Sequence, residues 1–436
     1  MGFPDEGVDG CRLVWRKGFW VADLHIHSQF SRATSRDMNP EVLGQTASQK
    51  GIMVVGTGDF THPVYLDYLE KELEEAEPGL YVRHGEPDGT RFMLTAEISN
   101  IFTQSGRNRR IHTVIFAPHF EAAREILVRL GSIGNISSDG RPIFGFPVKE
   151  LVRMVMDVSP DCLAVPAHIW TPWFSVLGAK SGFDSLEDCF EEETGHIHAV
   201  ETGLSSDPPM NWRLSALDRF TLISNSDAHS PSRLGREANI FSCEMSYPAI
   251  LDAIKGTAGG FEGTIEFFPE EGKYHYDGHR ACGVCFRPDQ TVEHQGICPV
   301  CGRMLTVGVL HRVEELADRP EGFVPGKAKP CVHLVPLEEI IAESFGIKTI
   351  TGKVRKEYRR MLAEGGAEID ILLRQSEEQL SDYVAETIRE GIIKMRNGQV
   401  HISPGHDGAY GKICLFPGAR QTAPVNRVGA HQMNLF

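Results

Sequence analysis

The chain has 436 residues, and its 44 lysine and arginine residues against 59 aspartate and glutamate residues give a formal net charge of −15. A hydrophobic fraction of 41% is ordinary for a globular protein, and the length favours two or three domains over one core. No apolar run approaches the roughly 18 residues that span a bilayer, the start MGFPDEGVDG does not resemble a signal peptide, and ten scattered cysteines do not form a disulfide framework, so we expect a cytoplasmic protein without a membrane partner.

Strand-like apolar runs alternate with helix-like stretches from residue 1 to about residue 268. For example, NPEVLGQTASQKG comes directly before MVVGTGD. This rhythm is typical of α/β proteins with a parallel sheet or barrel. Histidine and acidic residues follow many of the apolar runs: His25, His27, Asp59, Glu97, His112, His168, Glu201, Asp227 and His229. Because the carboxyl ends of barrel strands meet at one mouth, we predict a polynuclear metal site there.

A single buried histidine is more often a core residue that is satisfied by a backbone carbonyl than a metal ligand. Two pairs in this set argue for metal binding. His25 and His27 are two residues apart, as are Asp227 and His229, so in extended chain both members of each pair point to the same side. The two pairs together with the other strand-end residues favour the metal site.

Four cysteines in two CxxC pairs follow this region, between residues 269 and 330. Twelve residues separate the pairs, which are Cys282 with Cys285 and Cys298 with Cys301. Four thiolates at this spacing predict one tetrahedral structural zinc ion without an open position, whereas a redox site would need only one pair. With four cysteines in place, we expect neither His275 nor His279 to be a ligand.

The chain becomes helical from residue 331 to about residue 412. Apolar spacings of three and four residues occur in PLEEIIAESFG, KVRKEYRRMLAEGG and QLSDYVAETIREGIIKMRNG. The neighbouring GIKTITGK does not fit the P-loop pattern, which argues against an ATP-driven helicase. Residues 413–436 have few helix signals and are predicted to form a flexible tail.

Several stretches resemble one known family. DLHIHSQFSRATS, GTGDFTHP, GTIEFFPEEGKYHYDGH, CPVCG and LTVGVLHRVEELADRP are similar to endonuclease Q, a nuclease family of the PHP superfamily (polymerase and histidinol phosphatase domains), over roughly residues 18–412. The resemblance implies a PHP-type distorted (β/α)7 barrel over 1–268, a zinc ribbon over 269–330 and a helical DNA-binding domain over 331–412. It also implies a DNA repair endonuclease that cuts 5′ to a deaminated base (uracil, hypoxanthine or xanthine) or an abasic site and leaves a 3′-hydroxyl and a 5′-phosphate.

The resemblance implies that the nine strand-end residues bind two or three divalent ions, with zinc as the expected metal and manganese or magnesium as alternatives. Asp59, Glu97, Asp227 and His229 are the expected catalytic group. Many superfamily members have TDH where this chain has Gly58-Asp59-Phe60, so Asp59 is the expected ligand, with His62 as the alternative. A histidine a few residues past the first HxH is also missing, which leaves the third ion open.

A nuclease of net charge −15 must hold DNA through local clusters of cations, because affinity depends on local phosphate contacts. We expect two such clusters, although basic residues on a helix also commonly form a solvated face. The predicted DNA-binding residues are Arg107, Arg109 and Arg110, in a loop before His112, and Lys353, Arg355, Lys356, Arg359 and Arg360, near one helix start. The aromatic residues that follow His168, which are Trp170, Trp173 and Phe174, are predicted to form a pocket for a base that has left the stack or, alternatively, to pack as a lid.

The last five residues, QMNLF, resemble the peptide motif that binds the bacterial sliding clamp, with Gln432 as the polar contact and Leu435 and Phe436 as the apolar anchor. Alternatively, this end docks on its own domain. Damaged DNA and the clamp are therefore the expected partners, and the expected location is the cytoplasm, in association with the nucleoid. Two other functions stay open: a PHP-type phosphoesterase of small phosphomonoesters, and a PHP-type DNA exonuclease.

Overall fold

The computed structural model describes residues 15–417. Strands and helices alternate in the first part of this range, as the sequence predicts, except over residues 73–116, where five strands follow one another without a helix. The elements up to residue 268 are β1 (Trp20–Asp23), α1 (Pro40–Lys50), β2 (Val54–Gly56), α2 (Pro63–Glu72), β3 (Leu73–Glu77), β4 (Leu80–Arg83), β5 (Arg91–Met93), β6 (Thr95–Gln104), β7 (Arg107–Phe116), α3 (Phe120–Ile133), β8 (Ile143–Phe144), α4 (Val148–Val158), β9 (Leu163–Pro166), α5 (Leu186–Phe190), β10 (Ala199–Glu201), α6 (Pro208–Asn211), β11 (Thr221–Ile223), β12 (Ala238–Phe241), α7 (Tyr247–Lys255) and β13 (Phe261–Glu266).

The remaining elements are short strands and helices: β14 (Asp277–His279), β15 (Val284–Phe286), α8 (Pro288–Glu293), α9 (Val309–Leu316), β16 (Cys331–His333), α10 (Leu337–Ser344), α11 (Gly352–Gly365), α12 (Glu377–Ser381), α13 (Glu386–Arg396), β17 (His401–Ser403) and β18 (Lys412–Cys414). A π-helical turn covers Asp370–Arg374, and 3-10 turns cover Glu191–His196, Ser215–Leu217, Pro231–Arg233, Pro269–Glu271 and Arg280–Cys282. No helix within the described range is long and apolar enough to cross a membrane.

The largest sheet has eight strands in the order β16-β13-β12-β1-β2-β5-β4-β3. β1, β2 and β5 are parallel, whereas β12 is antiparallel to both β1 and β13. A second sheet has the order β8-β6-β7-β9, and β10 pairs in parallel with β11. The α/β class is therefore confirmed, but the hydrogen-bonded strands between residues 15 and 417 do not close into one barrel. The reason is local: the ten-residue strands β6 and β7 form a long antiparallel hairpin, and the three-residue strands β10 and β11 pair with each other.

Strand β1 lies in the middle of the main sheet and is covered on both faces. Every residue from Trp20 to Asp23 is buried, as expected for a strand that is covered on both faces. Helix α1 begins where Asn39 accepts a hydrogen bond from the backbone N–H of Val42, and it ends at Gly51 in the left-handed conformation. Helix α1 buries its apolar side against the core beside β2. Because β1 and β2 are parallel, their carboxyl ends lie at the same edge of the sheet.

Two predicted boundaries differ in the structure. β16 pairs in parallel with β13 in the main sheet, so Cys331–His333 belongs to the sheet and not to the helical segment. The predicted tail also begins too early, because β18 extends to Cys414 and Leu415 is buried, with its N–H donating to Glu343. The predicted clamp residues Gln432, Leu435 and Phe436 lie outside the described residues.

The helical segment shares the core of the strand region, since apolar residues of α10 and α13 join the same buried cluster as those of β1 and β2. The predicted last helix is divided in two. Ser376 caps α12 with a hydrogen bond from Gln379, and Ala385 is extended just before α13 begins. Arg396 then donates to backbone carbonyls of the π-helical turn, which fixes the end of α13 against it.

A buried polar pair lies between the main sheet and β11. Glu266 ends β13 and Glu237 comes directly before β12, and both side chains are fully buried. Glu266 accepts a hydrogen bond from Ser224 Oγ at 3.0 Å. Burial raises the pKa of Glu266 to about 8, and burial together with the neighbouring Glu266 raises the pKa of Glu237 well above its ordinary value. The carboxyl group of Glu266 therefore holds a proton at pH 7.

This proton uptake predicts a pH dependence of stability. An unfolded glutamate titrates near pH 4.3 while folded Glu266 titrates at about 8, so the folded protein holds the proton longer. The free energy of unfolding should fall as pH rises from about 5 to 8. We expect Glu266→Gln to flatten this fall in urea titrations with chelator. Glu262→Gln, on the same strand but only partly buried, should keep the wild-type slope, and an unchanged slope in Glu266→Gln would contradict the assignment.

Candidate metal centre

The strand-end histidine and acidic residues come together at one edge of the sheets. His25 and His27 follow β1, His168 follows β9, and Asp227 and His229 follow β11. Glu97 and His112 face the same place from the β6–β7 hairpin. Their side-chain ligand atoms form three overlapping groups, each with all atoms within 4.8 Å of one another: His25, His27 and Glu97; His27, Asp227 and His229; Glu97, His112 and His168. Seven of the nine predicted ligands therefore lie in one cluster.

Three polar atoms of the cluster point at its centre without a hydrogen bond. The Nε2 atoms of His25 and His27 and Oδ1 of Asp227 are buried and have no such partner in the described structure. His27 Nε2 lies 3.2 Å from Glu97 Oε2 and 3.1 Å from Asp227 Oδ1. Because buried polar groups are nearly always partnered, these atoms fit a bound cation. Imidazole and carboxylate donors together suit zinc or manganese.

The other two predicted ligands, Asp59 and Glu201, lie behind the cluster. Asp59 Oδ1 lies 3.2 Å from His27 Nδ1, and Glu201 Oε1 lies 3.0 Å from His25 Nδ1. Each carboxylate therefore contacts the ring nitrogen that faces away from the centre. Such contacts fix the orientation and tautomer of a metal-binding imidazole. The geometry favours orienting roles for both residues over direct ligation.

The position of Asp59 has a local cause. Its Oδ2 accepts hydrogen bonds from the backbone N–H and Oγ of Ser28, both at 2.6 Å, and from Ser31 Oγ at 2.9 Å. These donors turn the carboxylate away from the centre. The alternative ligand His62 is also remote, because its Nε2 lies 3.1 Å from the carbonyl oxygen of Ser137. The sequence predicts Asp59 as a metal ligand from its place after an apolar run, and that pattern contains no information about these three hydrogen bonds.

Burial and neighbouring charges shift the pKa values of the cluster residues in both directions. Burial lowers the pKa of His112 to about 4, so this ring is neutral at pH 7. Burial opposes ionisation of Glu97, but His112 and Arg141 outweigh it and hold the pKa of this carboxyl well below its usual range. Burial also opposes protonation of His25, yet Glu201 and Glu97 raise the pKa of that ring well above its ordinary value. A cation would therefore displace a proton from His25.

Sequence reasoning missed Arg141, which lies in the segment between α3 and β8. Its Nη1 donates to Glu97 Oε2 at 2.9 Å, and Glu97 raises the guanidinium pKa against the effect of burial. The preceding Gly140 packs against Asp59 so closely that a Cβ there would lie 2.4 Å from Asp59 Oδ2. Because this segment does not follow an apolar strand, the strand-end pattern carried no signal for either residue.

The second cluster lies in the segment that carries the two CxxC pairs. One ligand atom each from His279, Cys282, Cys298 and Cys301 lies within 4.8 Å of the others. Burial opposes ionisation of Cys298, but backbone N–H groups of Cys301 and Val300 and the His279 ring lower its pKa to about 6. This set contains three of the four predicted cysteines, together with a histidine that the sequence argument had dismissed.

Cys285 is outside this group, contrary to the prediction. In β15, Val284 and Phe286 pack toward Cys298 and Leu305, so the residue between them points to the opposite face of the strand. His279 lies on the paired strand β14, and its Nδ1 is 3.3 Å from Cys301 Sγ. Strand alternation therefore accounts for the exchange of Cys285 for His279.

The predicted arginine loop is in fact the start of β7. Arg109 is only 8% exposed, donates to the carbonyl of Gly182 and lies 4.0 Å over the Phe183 ring, so it cannot reach DNA. Arg107 is exposed, and the guanidinium of Arg110 lies 5.1 Å over the ring of Trp173. The prediction for Arg109 was wrong because residues on a strand alternate between the surface and the core.

The predicted base pocket also separates into two parts. Trp170 is 1% exposed and donates through Nε1 to Asn211 at 2.8 Å, which makes it a core residue. Trp173 is 43% exposed, and the Phe174 ring lies 4.6 Å from the ring of His112. Trp173 and Phe174 therefore form an aromatic edge beside the metal centre, and Trp170 does not.

Helix α11 carries the second predicted basic cluster. Val354 and Met361 bury one side of the helix, while four cations on it are exposed: Lys353, Arg355, Lys356 and Arg359. Arg360 differs, because it donates to Glu357 and Glu364 and to the carbonyl of Tyr383. The exposed four form a surface that could meet phosphates, whereas Arg360 is committed within the fold.

Comparisons with known proteins cover both the fold and the helical segment. Residues 336–399 match the family described as the MJ0043 C-terminal domain. An uncharacterised protein of Methanocaldococcus jannaschii is 34% identical over 258 residues, which are 57% of this chain and 32% of that protein. The chain thus spans about a third of the length of this curated relative.

Two solved structures match nearly the whole chain. The lesion-specific endonuclease PfuEndoQ of Pyrococcus furiosus is 32% identical, with a TM-score of 0.82, over 93% of this chain and 97% of that one. A complex of endonuclease Q with a 27-mer duplex substrate that has an abasic lesion at the active site matches at 32% identity and a TM-score of 0.80, over 93% of this chain and 98% of that one.

The close packing of Gly140 against Asp59 yields a test of the metal centre. Gly140→Ala should push Asp59 away from His27 and lower metal affinity by about 10- to 100-fold, as loss of an orienting partner typically does. Metal content after dialysis, measured by mass spectrometry, is the readout. Gly195→Ala is the matched control, because a Cβ there meets no atom within 4 Å. Equal metal content in both variants would contradict an orienting role for Asp59.

Proposed function

This chain belongs to the endonuclease Q family, and from that premise we propose that it is a metal-dependent DNA repair endonuclease. It nicks the phosphodiester bond 5′ to a deaminated base or an abasic site and leaves a 3′-hydroxyl and a 5′-phosphate. The observation that carries the proposal is the match over 93% of the chain at 32% identity to a lesion-specific endonuclease. The cluster of His25, His27, Glu97, His112, His168, Asp227 and His229 supports it by supplying ligands for more than one ion.

Divalent ions, when bound, supply an activated water and stabilise charge on the phosphate and leaving oxygens. The protein's part is to hold the ligands still. Asp59 and Glu201 hold the rings of His27 and His25 from behind, so that both Nε2 atoms face the centre. Arg141 lies at the same place as a planar cation suited to phosphate oxygens, and its contact with Glu97 keeps it there. We assign two ions with zinc as the first choice, since neither Asp59 nor His62 belongs to the three groups of candidate ligands.

We propose that residues 15–268 are a distorted PHP-type barrel whose closure depends on contacts outside the regular strands. A bridge between Ile26 and Ala228 joins the segments that follow β1 and β11. The N–H of Ile169, after β9, donates to the carbonyl of Glu201, at the end of β10. These links support a ring of segments around the metal centre. Residues 269–330 are then the zinc-site domain and residues 334–415 the helical domain, and the family match over 336–399 supports the latter.

Phosphate contacts are proposed for the exposed cations on α11 and for Arg107 and Arg110. Counterion release makes such exposed, unneutralised cations the main source of affinity for DNA. Trp173 and Phe174 are proposed to receive the nucleotide that leaves the stack, because they lie beside His112 and the metal centre. The sliding clamp is proposed as a partner for the QMNLF end, and the protein is expected to act at the nucleoid.

We propose that His279, Cys282, Cys298 and Cys301 hold one structural zinc ion, because three thiolates and an imidazole complete a tetrahedral set. His279→Ala and Cys282→Ala should each lose one zinc ion per chain, whereas Cys285→Ala should retain it. Zinc content per chain in native mass spectrometry checks this. Loss of the ion from Cys285→Ala with retention in His279→Ala would restore the four-cysteine set.

Cleavage of 5′-labelled duplex DNA that contains one deoxyuridine, deoxyinosine or abasic site tests the function. A single metal-dependent nick 5′ to the lesion is expected, and chelator should abolish it. Asp227→Asn should lose at least about 100-fold in rate, since it removes a carboxylate that faces the centre. Asp157→Asn, an exposed residue of α4, serves as the control and should cut normally.

Two results of this experiment would contradict the proposal. Intact lesion DNA in a preparation that hydrolyses nitrophenyl phosphate, with loss of that activity in Asp227→Asn, would indicate a small-molecule phosphoesterase. Stepwise shortening from a DNA end, without a nick at the lesion, would indicate an exonuclease.

A further inference from the structure

A second concave site lies at the opposite end of the strands from the metal centre. A cavity of about 880 Å³ is lined by Thr221 and Phe261, the first residues of β11 and β13. Asp227 and His229, by contrast, follow the carboxyl end of β11. The cavity therefore opens at the amino ends of β11 and β13, and the metal-site residues do not line it.

The walls of this cavity are basic although the chain is acidic overall. Four cationic residues line it: Arg219, Lys255, Lys327 and Lys329. The one carboxylate among the lining residues, Asp218, is already paired with both terminal nitrogens of Arg319. A local excess of cations in a chain of net charge −15 calls for an anion.

Most of this positive charge is uncommitted. Arg219 pairs with Glu187 at 2.6 Å. Lys255, Lys327 and Lys329 form no ion pair with the residues that the structure describes. Cations that neither neutralise a carboxylate nor carry a catalytic role remain free to hold a ligand's charged group. Lys327 and Lys329 are exposed and Lys255 is half-buried, so the three ammonium groups are free to meet an anion that enters the cavity.

The loop that carries two of these lysines is fixed to the sheet. Lys327 and Lys329 lie between Pro325 and Pro330, and the carbonyl of Pro330 accepts a hydrogen bond from the N–H of Thr264 at 3.1 Å. Gly263 permits this approach, because a Cβ there would lie 2.2 Å from the Pro330 oxygen. The loop thus holds both lysines over the cavity.

The floor of the cavity is aromatic and apolar. Trp212, Phe220 and Phe261 line it and are 6%, 6% and 4% exposed, respectively, with Leu217 and Leu222 beside them. The guanidinium of Arg219 lies 4.5 Å over the Phe220 ring, so Trp212 and Phe261 are the aromatic residues left to contact a ligand ring. The cavity volume is within the range of sites for small molecules. A ligand that joins an aromatic ring to a phosphate would use both the floor and the lysines.

We propose that this cavity binds a free nucleoside phosphate, with the base over the aromatic floor and the phosphate held by Lys255, Lys327 and Lys329. The ligand is an effector or regulatory ligand and not the substrate, because the cavity and the metal centre lie at opposite ends of the strands. A DNA duplex offers the same phosphate chemistry, but it carries its phosphates on a convex surface that does not enter a concave site.

The test is calorimetric titration of the full-length protein with AMP, ADP and inorganic phosphate. Saturable binding of AMP or ADP is expected, with phosphate weaker by at least tenfold. The double variant Lys327→Ala/Lys329→Ala should raise the dissociation constant of the nucleotide at least tenfold. Lys17→Ala/Lys71→Ala removes the same charge from exposed positions outside the cavity and should bind as wild type. Asp227→Asn should also bind nucleotide normally, which separates this site from the metal centre.

Four outcomes would overturn the proposal. The first is the absence of nucleotide binding, and the second is equal weakening in the two double-lysine variants. The third is loss of affinity for undamaged duplex DNA in Lys327→Ala/Lys329→Ala, with a shallower salt dependence and no nucleotide binding, which would assign the lysines to the DNA backbone. The fourth is binding of inorganic phosphate as tightly as AMP, because the aromatic floor would then contribute nothing to ligand affinity. Thermal unfolding of both double variants checks that they are folded.

Discussion

The structure depends on keeping imidazole and carboxylate groups buried, close together and correctly turned. The Nε2 atoms of His25 and His27 lie within 4 Å of acidic oxygens, and the Nδ1 atoms of these rings contact Glu201 and Asp59. Those two carboxylates are held in turn, Asp59 by the turn that contains Ser28 and Glu201 by Asn225. Each layer restricts the rotation of the one before it, which is what a preorganised site needs.

The same polar network ties the site to the sheet. Asn225 accepts from the N–H of Leu24, next to β1, and from Asn239 of β12. Glu201, which orients His25, is thus linked through the amides of Asn225 and Asn239 to neighbouring strands of the main sheet. Behind this network, burial raises the pKa values of Glu237 and Glu266 and outweighs the opposing effects of Arg236 on Glu237 and of His333 on Glu266. The site therefore combines charged groups at its centre with uncharged polar groups beneath it.

The sequence predicted the features that depend on residue spacing and on the ends of strands. Its predictions failed where the direction of a side chain decides which face of a strand the residue occupies. The α/β class and the gathering of histidines and carboxylates at one edge follow from residues placed after apolar runs; which of them bind metal stays a prediction. The predictions for Arg109 and Cys285 failed because alternation along a strand decides which face a residue occupies. Arg141 and Gly140 lay outside any pattern, since their positions depend on how a connecting segment folds back over the site.

The pairing of β13 with β16 has a topological consequence for the segment between them. β13 and β16 pair in parallel, with Thr264 opposite Cys331 and Glu266 opposite His333. The intervening segment therefore leaves the sheet from one strand and re-enters it at the neighbouring strand, and such neighbours are about 4.8 Å apart. The cysteine-bearing segment is therefore an insertion between two strands of one sheet and not a separate domain joined by a single linker. Because both of its ends are paired in the main sheet, the segment is a closed loop, and the conformational entropy lost on closing such a loop grows only slowly with its length.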